Sequence, residues 1–147
     1  MPSVILLHLD SGCTFSQFLW QEAMSFSFKQ RSAAMKAQAK LLETLVGQVR
    51  SFKDRLPEVA EAYERLPAET YKDGAITGKN KRLMALSASL THGCRGCVLF
   101  QTDEAVKQGA SVEEILESCA VAISLGGTMA TSETARVMAF LEEKGVL

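Results

Sequence analysis

From Met35 to the end of the chain, apolar residues recur at three- and four-residue steps between glycine and proline stops. That rhythm restricts the fold to packed helices. "MKAQAKLLETLVGQVRSFKDRL" carries Leu41, Leu42, Leu45, Val49, Phe52 and Leu56 on one helical face. Pro57 opens a second, shorter helix, "PEVAEAYERL", with Val59, Tyr63 and Leu66 on one side. "PAETYKDGAIT" reads as a connector that turns at Asp73–Gly74. Thr77 is placed to cap a third helix, "GKNKRLMALSASL", with Leu83, Leu86 and Leu90 inward and Ala88 packed closely. Gly93 interrupts it, and a fourth helix opens at the cysteine pair and runs to Gly109. Ser111 and Glu114 have capping-box spacing ahead of "VEEILESCAVAISL". Gly126–Gly127 breaks or bends that helix, and "MATSETARVMAFLEEK" continues to a stop at Gly145. Only residues 4–9 have strand character, so the expected class is all-α: a compact bundle of about five to seven helices.

Residues 1–34 do not share this rhythm. "CTFSQFLWQEAMSFSFKQRSAA" is aromatic-rich without a period. Two expectations stand for it: an arm that packs on a partner subunit, or residues ahead of a natural start at Met35. Residues 35–147 then form the single helical domain.

Composition narrows the function classes. The chain has 147 residues, is 47% hydrophobic, and balances 16 basic against 17 acidic side chains. This describes a folded domain rather than a disordered one. Lys79, Lys81 and Arg82 make too small a basic cluster for a nucleic-acid footprint. No run reaches the roughly 18 apolar residues of a membrane span, and the N-terminus lacks the basic start and cleavage site of a signal peptide. The expectation is a cytoplasmic protein with neither nucleic-acid nor membrane partners. Val98, Leu99 and Phe100 cannot all face one side of a helix, and a core this small is marginal alone. A homo-oligomer is therefore expected.

The four cysteines are Cys13, Cys94, Cys97 and Cys119. They are too few and too uneven for a disulfide scaffold. Cys119 reads as core and Cys13 as incidental. Three readings of "HGCRGC" compete. Structural zinc needs about four ligands, and only His92, Cys13 and Cys119 could complete the set. Two small core residues are an ordinary use of free cysteine, but glycine before each cysteine and Arg95 between them do not describe a packed interior. A redox pair has a mechanism: unpaired amides at a helix start stabilise a thiolate, and Arg95 or a partly charged His92 adds to that. By helix-end position alone, Cys94 is the more exposed thiol and the expected nucleophile.

From about Leu56 to Ala130 the chain resembles the carboxymuconolactone decarboxylase-like superfamily, in its alkylhydroperoxidase D-like, CxxC-containing branch. The resemblance rests on "LPEVAEAYERL", the DG turn, "K..RLMALS", CxxC, "A...GAS.EEI" and the terminal glycine pair, in that order. It implies an all-helical subunit assembling into trimers or hexamers, with the pair at the start of a central helix. It further implies hydroperoxide reduction without cofactor or metal. Cys97 would attack the peroxide, Cys94 would resolve the sulfenic acid, and an external dithiol protein would reset the disulfide.

Two departures stand against that pattern. The family's active members carry a glutamate where this chain has Arg82, and a histidine where it has Gln101. An amide takes no proton at neutral pH, so the glutamate–histidine relay is absent. Arg82 could still stabilise a thiolate by charge. Glu104, two turns beyond Cys97, could partner Arg82 or reach the site through water, and His92 is the nearby group that titrates near neutrality. Each has a bland rival: a solvated or subunit-contact charge for Arg82, a surface acid for Glu104, a helix-end residue for His92, and an interface hydrogen-bonder for Gln101. A weak peroxidase or thiol–disulfide oxidoreductase leads. A redox-sensing or structural oligomeric protein comes next, and a decarboxylase-like enzyme last.

Overall fold

A computed structural model describes residues 37–147. The expectations for residues 1–34, Cys13 and the strand-like stretch 4–9 lie outside the described residues. Five helices follow one another: α1 (Ala37–Arg55), α2 (Pro57–Thr70), α3 (Gly78–Thr91), α4 (Arg95–Lys107) and α5 (Val112–Glu143). No strand occurs among the described residues, and the class is all-α as the periodicity requires.

The centre is α3 packed against α4 and α5. Leu86 and Leu90 of α3, Val98 and Ala105 of α4, and Ile115, Cys119, Ala122, Ala130, Val137 and Leu141 of α5 close a continuous core. A second cluster, Leu42, Leu99 and Phe140, fixes α1 to the far side of α4 and the end of α5. The α1 N-terminus is capped from a distance: the Glu143 carboxylate accepts the amides of Gln38 (3.0 Å) and Ala39 (2.6 Å). Ala88 is exposed, not packed. It lies two residues beyond Leu86, about 200° around the helix, on the opposite face.

The helix ends explain how the cysteine loop is placed. Thr77 Oγ1 accepts the Asn80 amide and Asp73 Oδ1 accepts the Gly78 amide (2.6 Å), which together satisfy the start of α3. α3 finishes in a Schellman motif: the Cys94 amide bonds to the Ser89 carbonyl and the Gly93 amide to the Leu90 carbonyl. This requires the left-handed backbone of Gly93, φ 65°. The turn delivers Cys94 directly to the N-cap of α4. The same pair of bonds ends α4 at Gly109 and α5 at Gly145.

At the start of α5 the Ser111–Glu114 capping box is complete. Gly126 lets the helix press on α3, since a Cβ there would meet Thr91 Cγ2 at 3.3 Å and Ala130 Cβ at 2.9 Å. Gly127, at φ 57° and ψ −138°, kinks it. α5 also holds an 18-residue stretch that by length and composition could cross a membrane, where none was expected. Its buried residues belong to the core shared with α3 and α4, and a core helix has that composition.

Two further expectations are corrected. α2 continues through Pro67 to Thr70 instead of ending before it. The proline forfeits one interior hydrogen bond, yet the Tyr71 amide still reaches the Pro67 carbonyl at 3.1 Å and closes the last turn. The apolar faces assigned to α1 and α2 are only partly covered: Val49, Phe52, Val59, Tyr63 and Leu66 are all exposed, and α2 buries no residue.

Candidate active site at the cysteine pair

Cys94 and Cys97 are joined as a disulfide across the first turn of α4, with their Cα atoms 5.3 Å apart. Cys97 is the exposed member and Cys94 is half-buried. This reverses the expectation that the helix-end Cys94 would be the more accessible. The Schellman turn folds Cys94 back against α3, while Cys97 sits one turn on, facing outward. The first intrahelical bond of α4 runs from the Val98 amide to the Cys94 carbonyl. The amides of Arg95, Gly96 and Cys97 therefore have no partner within the helix, and they make the positive end that favours a thiolate. The glycines leave room for neighbours. A Cβ on Gly93 would meet Met129 Sδ of α5, and one on Gly96 would meet Leu45 Cδ1 of α1, each at 3.2 Å.

Three of the residues singled out from sequence meet one another between α3 and α4. Arg82 donates from one terminal nitrogen to Gln101 Oε1 (3.1 Å), and its other lies 3.4 Å from Glu104 Oε2. The guanidinium lies 3.6 Å from the Tyr71 ring centroid and 5.9 Å from that of Phe100. Gln101 Nε2 in turn donates to the Tyr71 hydroxyl (3.3 Å). Arg82 is largely buried, its side chain 12% exposed, and its Nε has no hydrogen-bond partner. Gln101 is one helical turn from Cys97 and joins the cluster to α4 just beyond the pair, and within it the charges of Arg82 and Glu104 offset each other. Lys107 ties the cluster down by binding Glu104 and Asp103, each at 2.8 Å. Burial pulls the Asp103 carboxyl upward, but hydrogen bonds from Lys107 and Lys144 outweigh it and hold it below its ordinary value.

His92 is not part of this cluster. It is the exposed C-cap residue of α3, with Nδ1 2.8 Å from the Ala88 carbonyl oxygen. Cys119 is core. Burial pushes its thiol up to about 11, against a hydrogen bond with Thr134, and it stays protonated at neutral pH. No group of three His, Cys, Asp or Glu side chains placed to hold a metal occurs among the described residues.

Sequence reasoning missed three residues that touch the Arg82 cluster or the cysteine loop. Tyr71 was lost in the connector, and no local signal marks it as a platform for Arg82. Met129 and Glu133 lie on the second half of α5. Glu133 is buried, with Oε1 3.8 Å from Arg95 Nε and Oε2 2.9 Å from Arg136 Nε. Its i,i+3 spacing to Arg136 looks like an ordinary solvated pair, and nothing in that spacing signals its burial.

The profile of the carboxymuconolactone decarboxylase family matches residues 57–140. A crystal structure of a carboxymuconolactone decarboxylase family protein from Legionella pneumophila superposes with a TM-score of 0.69 at 28% identity, covering 74% of this chain and 97% of that one. A Thermotoga maritima protein of the same family gives 0.55 at 32% identity, over 58% of this chain and 89% of its own. An uncharacterised Cupriavidus necator protein is 27% identical over 86 residues, 58% of this chain and 76% of that protein. The match spans α2 to Phe140 in the last turn of α5, the elements that build the cysteine loop and the Arg82 cluster, and the chain belongs to the carboxymuconolactone decarboxylase family.

Proposed function

We propose that the protein is a cysteine-dependent thiol–disulfide oxidoreductase that reduces hydroperoxides slowly through Cys97 and Cys94. The observation that carries this is the pair itself, with an exposed Cys97 at a helix start and a half-buried Cys94 bonded to it. The Cys97 thiolate attacks the terminal peroxide oxygen, the O–O bond breaks, and the alcohol leaves with a proton from water. Cys94 then attacks the resulting sulfenic acid, releasing water and closing the disulfide, and an external dithiol protein reduces it. Arg82 is paired with Glu104 and carries no proton, and Gln101 cannot act as a base. The expected rate is therefore modest. The Thermotoga maritima relative is described as a possible participant in an antioxidative response, which supports the same reading.

Assembly belongs to this proposal. The exposed apolar faces of α1 and α2 support a homo-oligomer, trimeric or hexameric, in a cytoplasmic setting where dithiol reductants are available. A redox-sensing role is the second reading, favoured by the missing relay alone. Family membership by itself suggests a decarboxylase, but the position for a proton-transferring histidine holds Gln101.

The test is consumption of hydrogen peroxide and an organic hydroperoxide with a dithiol as electron source. Wild type should turn over both, Cys97→Ser neither. Cys94→Ser should stop at a Cys97 sulfenic acid, trapped by a dimedone-type reagent. A pair that opens and closes reversibly without consuming peroxide would replace the enzyme with the sensor.

A further inference from the structure

Near the cysteine loop lies a charged group that the chemistry above does not use. Glu133 of α5 is buried, its side chain only 11% exposed, a costly place for a carboxylate unless it is paired. Its partners are Arg95, the residue between the cysteines, at 3.8 Å, and Arg136 at 2.9 Å, the latter not aligned as a hydrogen bond. Arg136 is held from α1 by Gln38, whose Oε1 accepts at 3.3 Å. Met129, one turn before Glu133, rests against Gly93. The carboxylate thus lies beside the first turn of α4, where Arg95 alone would add a full positive charge to the helix's own positive end.

We infer that Glu133 is a positioning residue that holds Arg95 and offsets its charge, keeping the Cys94–Cys97 couple reducing. The inference rests on the redox reading above. Positive charge beside a thiolate stabilises the reduced form and makes a disulfide more oxidising. A pair that passes electrons to peroxide must be readily reoxidised, so an unbalanced Arg95 and Arg136 beside it would work against the reaction. Arg95, Arg136 and Glu133 together carry one net positive charge, and removing the carboxylate leaves two.

The test equilibrates the full chain with dithiothreitol redox buffers at pH 7 and measures the reduced fraction of the Cys94–Cys97 peptide by alkylation and mass. Glu133→Gln should shift the equilibrium about tenfold towards the reduced form, about 30 mV, and lower the pKa of the thiol that titrates first. Glu133→Asp, which keeps the charge, should stay near wild type. Arg95→Gln, at a 67% exposed side chain that can change without unfolding the domain, should move the equilibrium the opposite way. A folded Glu133→Gln within twofold of wild type overturns the inference, as does Glu133→Asp shifting equally far. If Glu133→Gln does not fold, Arg95→Gln decides, and no shift there overturns it. A wild-type pair that no dithiol buffer opens sinks the inference together with the proposed function. A wild type that cycles, with an unmoved Glu133→Gln, sinks the inference alone.

Discussion

Two parts of the molecule follow the same apolar rhythm and put it to different use. In α3, α4 and α5 the periodic residues meet one another, and Leu86, Leu90, Val98, Ile115 and Val137 lose all contact with solvent. In α1 and α2 the stripe is as regular, but only Leu42 is buried, while Phe52 is 55% and Leu66 71% exposed. A Lys53–Glu64 ion pair at 2.7 Å links the two helices, yet an exposed pair of this kind adds little. Periodicity therefore establishes that a helix has an apolar face, and not whether its own subunit covers that face. The cysteine pair sits on the closed half, at the start of a helix whose Val98 and Leu99 are fully buried. Its geometry is fixed by one subunit's core.

That contrast can be broken by substitution. Phe140→Ala, in the cluster that ties α1 to the core, should cost about 3–5 kcal/mol in urea denaturation. A cost under 1 kcal/mol would mean this cluster is no better packed than the exposed face of α1 and α2. Gly127→Ala should cost about 1–3 kcal/mol, because its backbone angles are closed to a side chain while the space around it is empty. Asp103 gives a pH signature. Its carboxyl is held below its ordinary 3.8, so its contribution is complete above that value and fades as pH falls through the lower, folded value. Asp103→Asn should remove that part of the acid sensitivity, read as a smaller change in urea midpoint between pH 5 and pH 3. The smallest effect on subunit stability, within about 0.5 kcal/mol, is expected for Phe52→Ser. The same change should lower the assembly mass by light scattering. A wild type that runs as a monomer would remove the proposed occupant of the α1 and α2 face.

Much of the closed half was legible because its signals are local. Thr77, the Ser111–Glu114 box, Gly93, Gly109 and Gly145 act through hydrogen bonds spanning at most five residues, and the sequence places them correctly. What escaped depends on distant partners. The path of α2 through Pro67 contradicts a local rule. The capping of α1 by Glu143 bridges 105 residues at Gln38. The stacking of Arg82 on Tyr71 and the burial of Glu133 beside Arg95 appear only once α3, α4 and α5 are assembled. For the candidate site, sequence supplied Cys94, Cys97, Arg82, Gln101 and Glu104, and Arg82 does meet Gln101 and Glu104. It misjudged which cysteine is exposed: the stop at Gly93 was legible, but that the turn leaves Cys94 half-buried and Cys97 exposed shows only in the assembled helices.

The central claim is that Cys97 is an activated thiol without a histidine beside it. The most direct measurement is a titration of the reduced protein, with Cys13 replaced by serine, following thiolate absorbance near 240 nm against pH. Cys119, near 11, separates itself from the pair. The account predicts one thiol well below the ordinary value of about 8.5, lost in Cys97→Ser and shifted upward in Arg82→Gln. Both Cys94 and Cys97 titrating at 8.5 or above would contradict it, leaving the pair a structural crosslink on a scaffold that no longer supports the chemistry.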